Sequence, residues 1–220
     1  MNNNYTIEKE LLKKERRKLS TITDKVEYLK QLKRLVIVVD MVNGFVKEGP
    51  LAAFNIMEVV PRQVEILEEA EKEEGTGICF IRDSHPINAE EFKVYGPHCI
   101  EGTKETEVID ELKRFQNGNI EYFKNSTNFM FARKFQSDLQ QAKELERIDL
   151  MGCLSEVCVK NGAISLRTFL DEYNKDIQLG VYEDAIDTFD APGHNAYEVT
   201  NNALKEMANN GIKVYKKGMK

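Results

Sequence analysis

Six short apolar runs, separated by segments with helical spacing, constrain the fold of this chain more than any other feature of its sequence. Their lengths and their valine and isoleucine content are typical of buried strands. The predicted strands are Leu35–Asp40, Thr76–Arg82, Ile120–Lys124, Ile148–Leu154, Ile177–Glu183 and Ile212–Tyr215. The predicted helices are approximately Met57–Glu74, Thr106–Arg114, Arg133–Glu146, Val157–Tyr173 and His194–Asn210. Strands that alternate with helices pair in parallel through right-handed crossovers. We therefore predict an α/β fold with αβα layers around a doubly wound sheet of about six mostly parallel strands.

The start of the chain has a different pattern. Glu8–Leu19 is typical of a charged amphipathic helix with few apolar side chains to bury, and residues 1–34 hold ten Lys/Arg against five Asp/Glu. The total of 220 residues suits one large α/β domain better than two. We predict a helical arm over residues 1–30, packed on the domain or on a second subunit, and one domain over residues 31–220.

The composition excludes several classes of protein. With 31 Lys/Arg and 37 Asp/Glu the net charge is −6, which argues against a general nucleic-acid binder. No apolar stretch approaches the ~18 residues that span a bilayer, and the first residues lack the apolar core of a signal peptide. The four cysteines form no CxxC pair, so we expect reduced thiols. These features predict a cytoplasmic protein without nucleic-acid or membrane partners.

Three chemically distinct side chains follow three of the predicted strands. Asp40 ends the first strand, Lys124 ends the third, and Cys158 begins the helix after the fourth. Ligands of a parallel sheet bind outside the carboxyl ends of its strands, so a base, a cation and a nucleophile are expected to converge there. The N-terminus of a helix also favours a thiolate. Position alone nevertheless favours the commoner role of a free cysteine, a small buried apolar side chain.

The loop after the second strand carries a possible metal site. Its nitrogen and carboxylate ligands are Asp83, His85, Glu91 and His98. Two imidazoles with carboxylates and open positions for water suit Zn²⁺, Mn²⁺ or Fe²⁺. The alternative is a set of unconnected polar residues, which is the more common explanation for Asp and His in a loop.

Four motifs, in order, resemble those of the isochorismatase-like cysteine hydrolases, and in particular the nicotinamidase/pyrazinamidase branch. Residues 40–45 read DMVNGF, similar to D-x-Q-N-D-F, although Gly44 replaces the second aspartate. Residues 83–85 and 96–103 read DSH and GPHCIEGT, similar to D-x-H and P-P-H-C-x-x-G-T. Lys124 follows a short strand as the family's lysine does, and residues 152–159 read GCLSEVCV, similar to G-x-A-T-D-x-C-V. The resemblance covers approximately residues 35–215.

The resemblance implies a catalytic set and a mechanism. It makes Asp40 the base, Lys124 the cation and Cys158 the nucleophile that attacks the carboxamide of nicotinamide. The backbone N–H groups of Leu154 and Cys158 are then expected to form the oxyanion hole, with a cis peptide before Leu154. The product is nicotinate, released with ammonia through a thioester.

The resemblance also implies a substrate pocket and an assembly. Asp83, His85, Glu91 and His98 become the ligands of a divalent metal, zinc first and manganese or iron as alternatives. Phe45 and Tyr95 match the aromatic positions that flank the substrate ring, and family members are often homo-oligomers.

Three functions stay open at this point. The first is a metal-dependent nicotinamidase. The second is a sibling amidohydrolase that acts on another small carboxamide or ureido compound, with the same cysteine but an incidental metal loop. The third is a non-catalytic scaffold of the same fold, which the departures around Asp40 keep open.

Overall fold

A parallel sheet forms the centre of the protein. The computed structural model describes residues 22–117 and 119–216, with side chains from residue 25 onward. Within these residues six strands pair in parallel in the order β3-β2-β1-β4-β5-β6. The strands are β1 (Arg34–Val39), β2 (Thr76–Asp83), β3 (Ile120–Lys124), β4 (Arg147–Gly152), β5 (Gln178–Ile186) and β6 (Lys213–Tyr215). The predicted doubly wound α/β fold is confirmed.

Helices cover both faces of the sheet. They are α1 (Ile22–Lys30), α2 (Asn43–Val46), α3 (Val60–Ala70), α4 (Phe92–Tyr95), α5 (Asp110–Gln116), α6 (Phe135–Gln141), α7 (Lys160–Glu172) and α8 (Ala196–Asn209). Short 3₁₀ segments lie at Phe54–Val59, Lys104–Thr106 and Phe129–Phe131. A π-helical turn, Ser155–Val159, leads into α7.

The side chains of β1 show why the fold has three layers. Leu35 and Ile37 belong to the apolar cluster that also holds residues of α1, α6, α7 and α8. Val36 and Val38 belong to the other cluster, shared with α2, α3 and α5. Successive side chains of a strand point to opposite faces, so a run that is apolar throughout needs cover on both sides.

Several element boundaries differ from the sequence prediction. The fourth strand was expected to reach Leu154, but β4 ends at Gly152, whose φ of +127° turns the chain out of the sheet. The fifth strand runs to Ile186 rather than Glu183. The predicted helix Met57–Glu74 divides into the 3₁₀ segment and α3, and α3 has its proline in the first turn, where the missing N–H costs nothing.

The described residues include only the end of the predicted N-terminal arm, from residue 22 onward. Its expected helix, Glu8–Leu19, lies outside the described residues. The end of the arm forms α1, whose Leu29 is buried in the cluster with α6, α7 and α8. In addition, Lys25 donates from Nζ to the backbone oxygen of Glu121 in β3, 3.2 Å away. The division into an arm and a domain stays a prediction.

No helix among the described residues combines the length and the apolar character that a membrane span requires.

Candidate active site and metal site

The order of the strands places the candidate site at the carboxyl ends of β1 and β4. The chain connections run in opposite directions on the two sides of this pair, which leaves a crevice above it. Asp40 directly follows β1, and Cys158 lies in the π-helical turn after β4. Lys124 ends β3 and pairs in register with Asp83 at the end of β2. Four strand ends therefore deliver these side chains to one place.

Lys124 is the centre of the cluster. Its Nζ lies 2.8 Å from Asp40 Oδ2, 2.6 Å from Asp83 Oδ1 and 3.5 Å from Cys158 Sγ. Lys124 is 1% exposed and Asp40 is fully buried. Burial lowers the pKa of Lys124, but its two carboxylate neighbours and the thiol outweigh burial and hold that pKa well above its ordinary value. The ammonium is therefore a permanent positive charge beside the thiol.

Asp40 has the protonation behaviour of a base that works near neutral pH. Burial raises its pKa, the Lys124 ammonium lowers it, and the Asp83 carboxylate raises it again, which leaves a pKa of about 6. Its carboxylate also lies within hydrogen-bonding reach of the Cys158 thiol. At pH 7 Asp40 is mostly ionised and able to accept a proton.

The Cys158 thiol is protonated at rest. Burial raises the pKa of this thiol well above its ordinary value, Lys124 opposes the rise, and Asp40 and Asp83 add to it. The thiolate that the helix terminus favoured in the sequence argument is therefore not the resting form. Because the Asp40 and Asp83 carboxylates both act on the sulfur, a thiolate would be a third negative charge there, and it is unfavourable until one carboxylate takes the proton.

The four predicted metal ligands converge beside Lys124 and form a second group, the metal cluster. One ligand atom from each of Asp83, His85, Glu91 and His98 lies within 4.8 Å of the others. Asp83 Oδ2 is 3.1 Å from His85 Nε2 and 3.5 Å from His98 Nε2. Glu91 Oε1 is 3.9 Å from His98 Nε2. The interpretation of these residues as unconnected loop residues does not fit this arrangement.

The hydrogen bonds of the histidines show that the cluster suits a divalent metal. His98 Nδ1 lies 2.8 Å from the Gly96 carbonyl oxygen, which only accepts, and His85 Nδ1 lies 2.7 Å from Asn125 Oδ1. Rings that donate from Nδ1 present the lone pair of Nε2 to the interior. His85 Nε2 is buried without a hydrogen-bond partner among the described residues, and it faces another acceptor, Asp83 Oδ2. A cation between these acceptors satisfies both, and two nitrogen and two carboxylate ligands suit zinc, manganese or iron.

The loop that carries His98 is held from below by Glu105. The backbone N–H of Cys99 donates to Glu105 Oε2 at 2.8 Å. A Cβ at Gly44 would lie 2.6 Å from Cys99 Sγ and 3.1 Å from Glu105 Cβ. The glycine that departs from the family motif thus makes room for this packing.

Two further predictions concern the substrate side of the site. The ring centroids of Phe45 and Tyr95 lie 5.6 Å and 6.5 Å from that of His98, so both aromatic side chains border the metal cluster. Phe45 is buried, whereas Tyr95 is 44% exposed. The peptide bond between Cys153 and Leu154 is cis, as the resemblance implies. The Leu154 N–H donates to no acceptor within the described ranges, which leaves it available to a ligand.

Sequence reasoning missed three residues near the site. Asn125 contacts His85, and the Phe92 ring lies 5.3 Å from the His85 ring. Glu156, two residues before Cys158, has its Oε1 3.2 Å from His194 Nε2, which ties the loop before α8 to the π-helical turn. The position of Asn125 directly after Lys124, at a strand end, was the one available signal.

Comparison with known proteins identifies the family. A family model described as the isochorismatase domain matches residues 34–216. The chain belongs to the isochorismatase family. Nicotinamidase 1 of Arabidopsis thaliana is 26% identical to this isochorismatase-family hydrolase over an alignment of 188 residues, and the match covers 74% of the chain and 73% of the relative. The family resemblance predicted from the motifs is confirmed.

Solved structures share the isochorismatase fold. N-carbamoylsarcosine amidase from Thermoplasma acidophilum superimposes with a TM-score of 0.68 at 24% identity, over 86% of this chain and 99% of that one. The pyrazinamidase of Pyrococcus horikoshii, crystallised in complex with zinc, has a TM-score of 0.65 at 22% identity and covers 84% of this chain and 99% of its own. At these identities the likeness establishes the fold alone.

Proposed function

We propose that this protein is a metal-dependent cysteine amidohydrolase that converts nicotinamide to nicotinate and ammonia. The observation that carries the proposal is the position of Lys124, whose ammonium contacts Asp40, Cys158 and the metal-cluster residue Asp83. A base, a nucleophile and a ligand set for the substrate ring are thereby joined in one buried unit. The name of the Arabidopsis relative, nicotinamidase, supports this choice of amide.

The first half of the reaction follows from the protonation states. Asp40 takes the proton of the Cys158 thiol as the sulfur attacks the carboxamide carbon, so that no free thiolate has to form beside two carboxylates. The backbone N–H groups of Leu154 and Cys158 donate hydrogen bonds to the developing oxyanion. Asp40 then passes its proton to the amide nitrogen, and the carbon–nitrogen bond breaks. Ammonia is released, and the acyl group stays on Cys158 as a thioester.

The second half reuses the same base. Water attacks the thioester carbon while Asp40 accepts one of its protons. The carbon–sulfur bond breaks and Asp40 returns its proton to sulfur. The carboxylic acid product gives its remaining proton to solvent and leaves as nicotinate. Lys124 keeps its charge throughout and offsets the negative charge on the intermediates.

The pocket positions the substrate ring. Asp83, His85, Glu91 and His98 would hold the divalent ion, zinc first and manganese or iron as alternatives. When bound there, the ion would supply a Lewis acid for the pyridine nitrogen of the substrate. Phe45 and Tyr95 flank the ring from the side of His98. Fixing the ring places the carboxamide against Cys158. Three expectations remain predictions: assembly into a homo-oligomer, a location in the cytoplasm, and a separate N-terminal arm.

The deciding experiment measures ammonia release from nicotinamide by the purified protein, with and without added Zn²⁺ or Mn²⁺. Metal-dependent release that Cys158→Ala abolishes, in a variant with unchanged circular dichroism, supports the proposal. Release only from other small carboxamides or ureido compounds contradicts the nicotinamidase assignment and supports the sibling amidohydrolase. Release from none of these amides supports the non-catalytic scaffold.

A further inference from the structure

Asn125 stands between a surface groove and a buried ligand of the metal cluster. A groove of about 1000 Å³ runs along the outer side of β3, and Ser84, Lys124 and Asn125 contribute to its lining. His85 lies behind them with no exposed surface. Asn125 Oδ1 is 2.7 Å from His85 Nδ1. The side-chain amide of Asn125 therefore contacts the buried imidazole of His85 from the side of the groove.

The two histidines of the cluster differ in how their outer nitrogens are held. His98 Nδ1 meets a backbone carbonyl oxygen, that of Gly96. His85 Nδ1 meets a side chain, which can present either an accepting oxygen or a donating nitrogen. If the amide accepts, the imidazole proton sits on Nδ1 and the Nε2 lone pair faces the metal cluster. If the amide donates, Nε2 carries the proton instead and cannot bind a metal.

We propose that Asn125 is a positioning residue for the metal site: its Oδ1 accepts the Nδ1 proton of His85 and so keeps Nε2 free as a ligand. The inference deepens the proposed function. It rests on the metal-binding residues of that proposal, but not on which amide is the substrate. A second observation supports it: Nε2 of His85 is buried 3.1 Å from Asp83 Oδ2, so that when Nδ1 donates, two acceptors face each other and a cation between them would satisfy both. Removal of such an outer partner lowers metal affinity about 10- to 100-fold.

Zinc affinity, measured by competition with a chromophoric chelator, tests the inference without any amide substrate. Asn125→Leu keeps the approximate volume and removes the acceptor, so its affinity should fall about 10- to 100-fold. Asn125→Asp retains an oxygen that only accepts, and its affinity should equal or exceed that of the unchanged protein. The matched control is Asn128→Leu. Asn128 lies in the same loop as Asn125, accepts from Met130 N and donates to Ser165 Oγ of α7, away from the histidines. This control can lose stability but should keep its zinc affinity.

The histidine tautomer supplies a readout that needs no metal. In the metal-free protein, nitrogen-15 NMR at a pH where the ring is neutral should show the proton of His85 on Nδ1. Asn125→Asp should keep this tautomer, and Asn125→Leu should lose it.

For a protein that binds zinc, three results overturn the inference: a proton on Nε2 in the unchanged protein, equal zinc affinities for Asn125→Leu and the unchanged protein, or an equal loss in Asn125→Asp and Asn125→Leu. A protein that binds no zinc overturns it together with the metal site. A protein that binds zinc in the expected order but hydrolyses no amide leaves the inference supported and contradicts the proposed function alone.

Discussion

The ammonium nitrogen of Lys124 lies 2.6 Å from one carboxylate oxygen of Asp83, and the other oxygen of Asp83 faces the metal-cluster histidines. The two residues are register partners at the ends of β3 and β2. One carboxylate therefore belongs to both the thiol machinery and the metal cluster. Because Lys124 and its two carboxylate partners, Asp40 and Asp83, are all buried, the charge of Lys124 is needed for folding as well as for chemistry.

Lys124→Met should therefore destabilise the protein by about 3–5 kcal/mol, because it leaves Asp40 and Asp83 buried without their cation. Urea unfolding at neutral pH measures the change. Lys104→Met is the matched control, since Lys104 is exposed and pairs with Glu48 at the surface. It should leave the unfolding midpoint unchanged. Equal shifts of the midpoint in both variants would contradict the central role of Lys124.

The activity should fall on the acid side of pH 6. Asp40 must be ionised to accept the thiol proton, and its pKa of about 6 means that this form is lost as the pH decreases through that value. The kcat/KM for the amide should then decrease about tenfold per pH unit. A profile from about pH 5 to about pH 8 tests this.

Asp40→Asn separates the base from other titrating groups. It should lower kcat/KM about 10²- to 10⁴-fold and remove the acid limb from the residual activity. An unchanged limb in this variant would assign the titration to another group.

Metal removal should affect substrates according to their ring nitrogen. Benzamide carries the same carboxamide on a benzene ring, which has the size and shape of the nicotinamide ring but no pyridine nitrogen. Chelation should therefore raise KM strongly for nicotinamide and little for benzamide, and added Zn²⁺ should restore the nicotinamide value. Equal losses for both amides would show that the metal supports the fold or the chemical step instead of the ring.

The exit from β4 should tolerate no side chain at Gly152. A Cβ there would lie 2.0 Å from the Val39 carbonyl oxygen, and its φ of +127° is unfavourable for alanine. Gly152→Ala should cost about 3 kcal/mol of unfolding free energy. Gly193→Ala is the control, because Gly193 also has positive φ but no atom within 4 Å of the added Cβ. If denaturant unfolding gives equal losses for both, backbone conformation and not the clash accounts for the cost.

The sheet was predictable because its strands are buried on both faces. A run such as Leu35 to Val39 has no polar position that could face water, so its sequence alone indicates a central strand. Strand ends of a parallel sheet share one edge, which is why Asp40, Asp83 and Lys124 could be expected together. The helix α1 gave a weaker signal, since four of its nine residues are charged and Leu29 is its one fully buried residue among those whose side chains are described.

The sequence by itself determined the family, the six strands with the longer helices that alternate with them, and the identity of the residues that gather at the carboxyl edge. Tertiary structure decided what those residues do to one another. That Asp83 serves both Lys124 and the histidines, that Asn125 meets His85, and that Cys158 keeps its proton are consequences of distances between side chains from different strands and of their burial. Charge interactions and desolvation depend on these distances and on the exclusion of water, neither of which a local pattern of residues records.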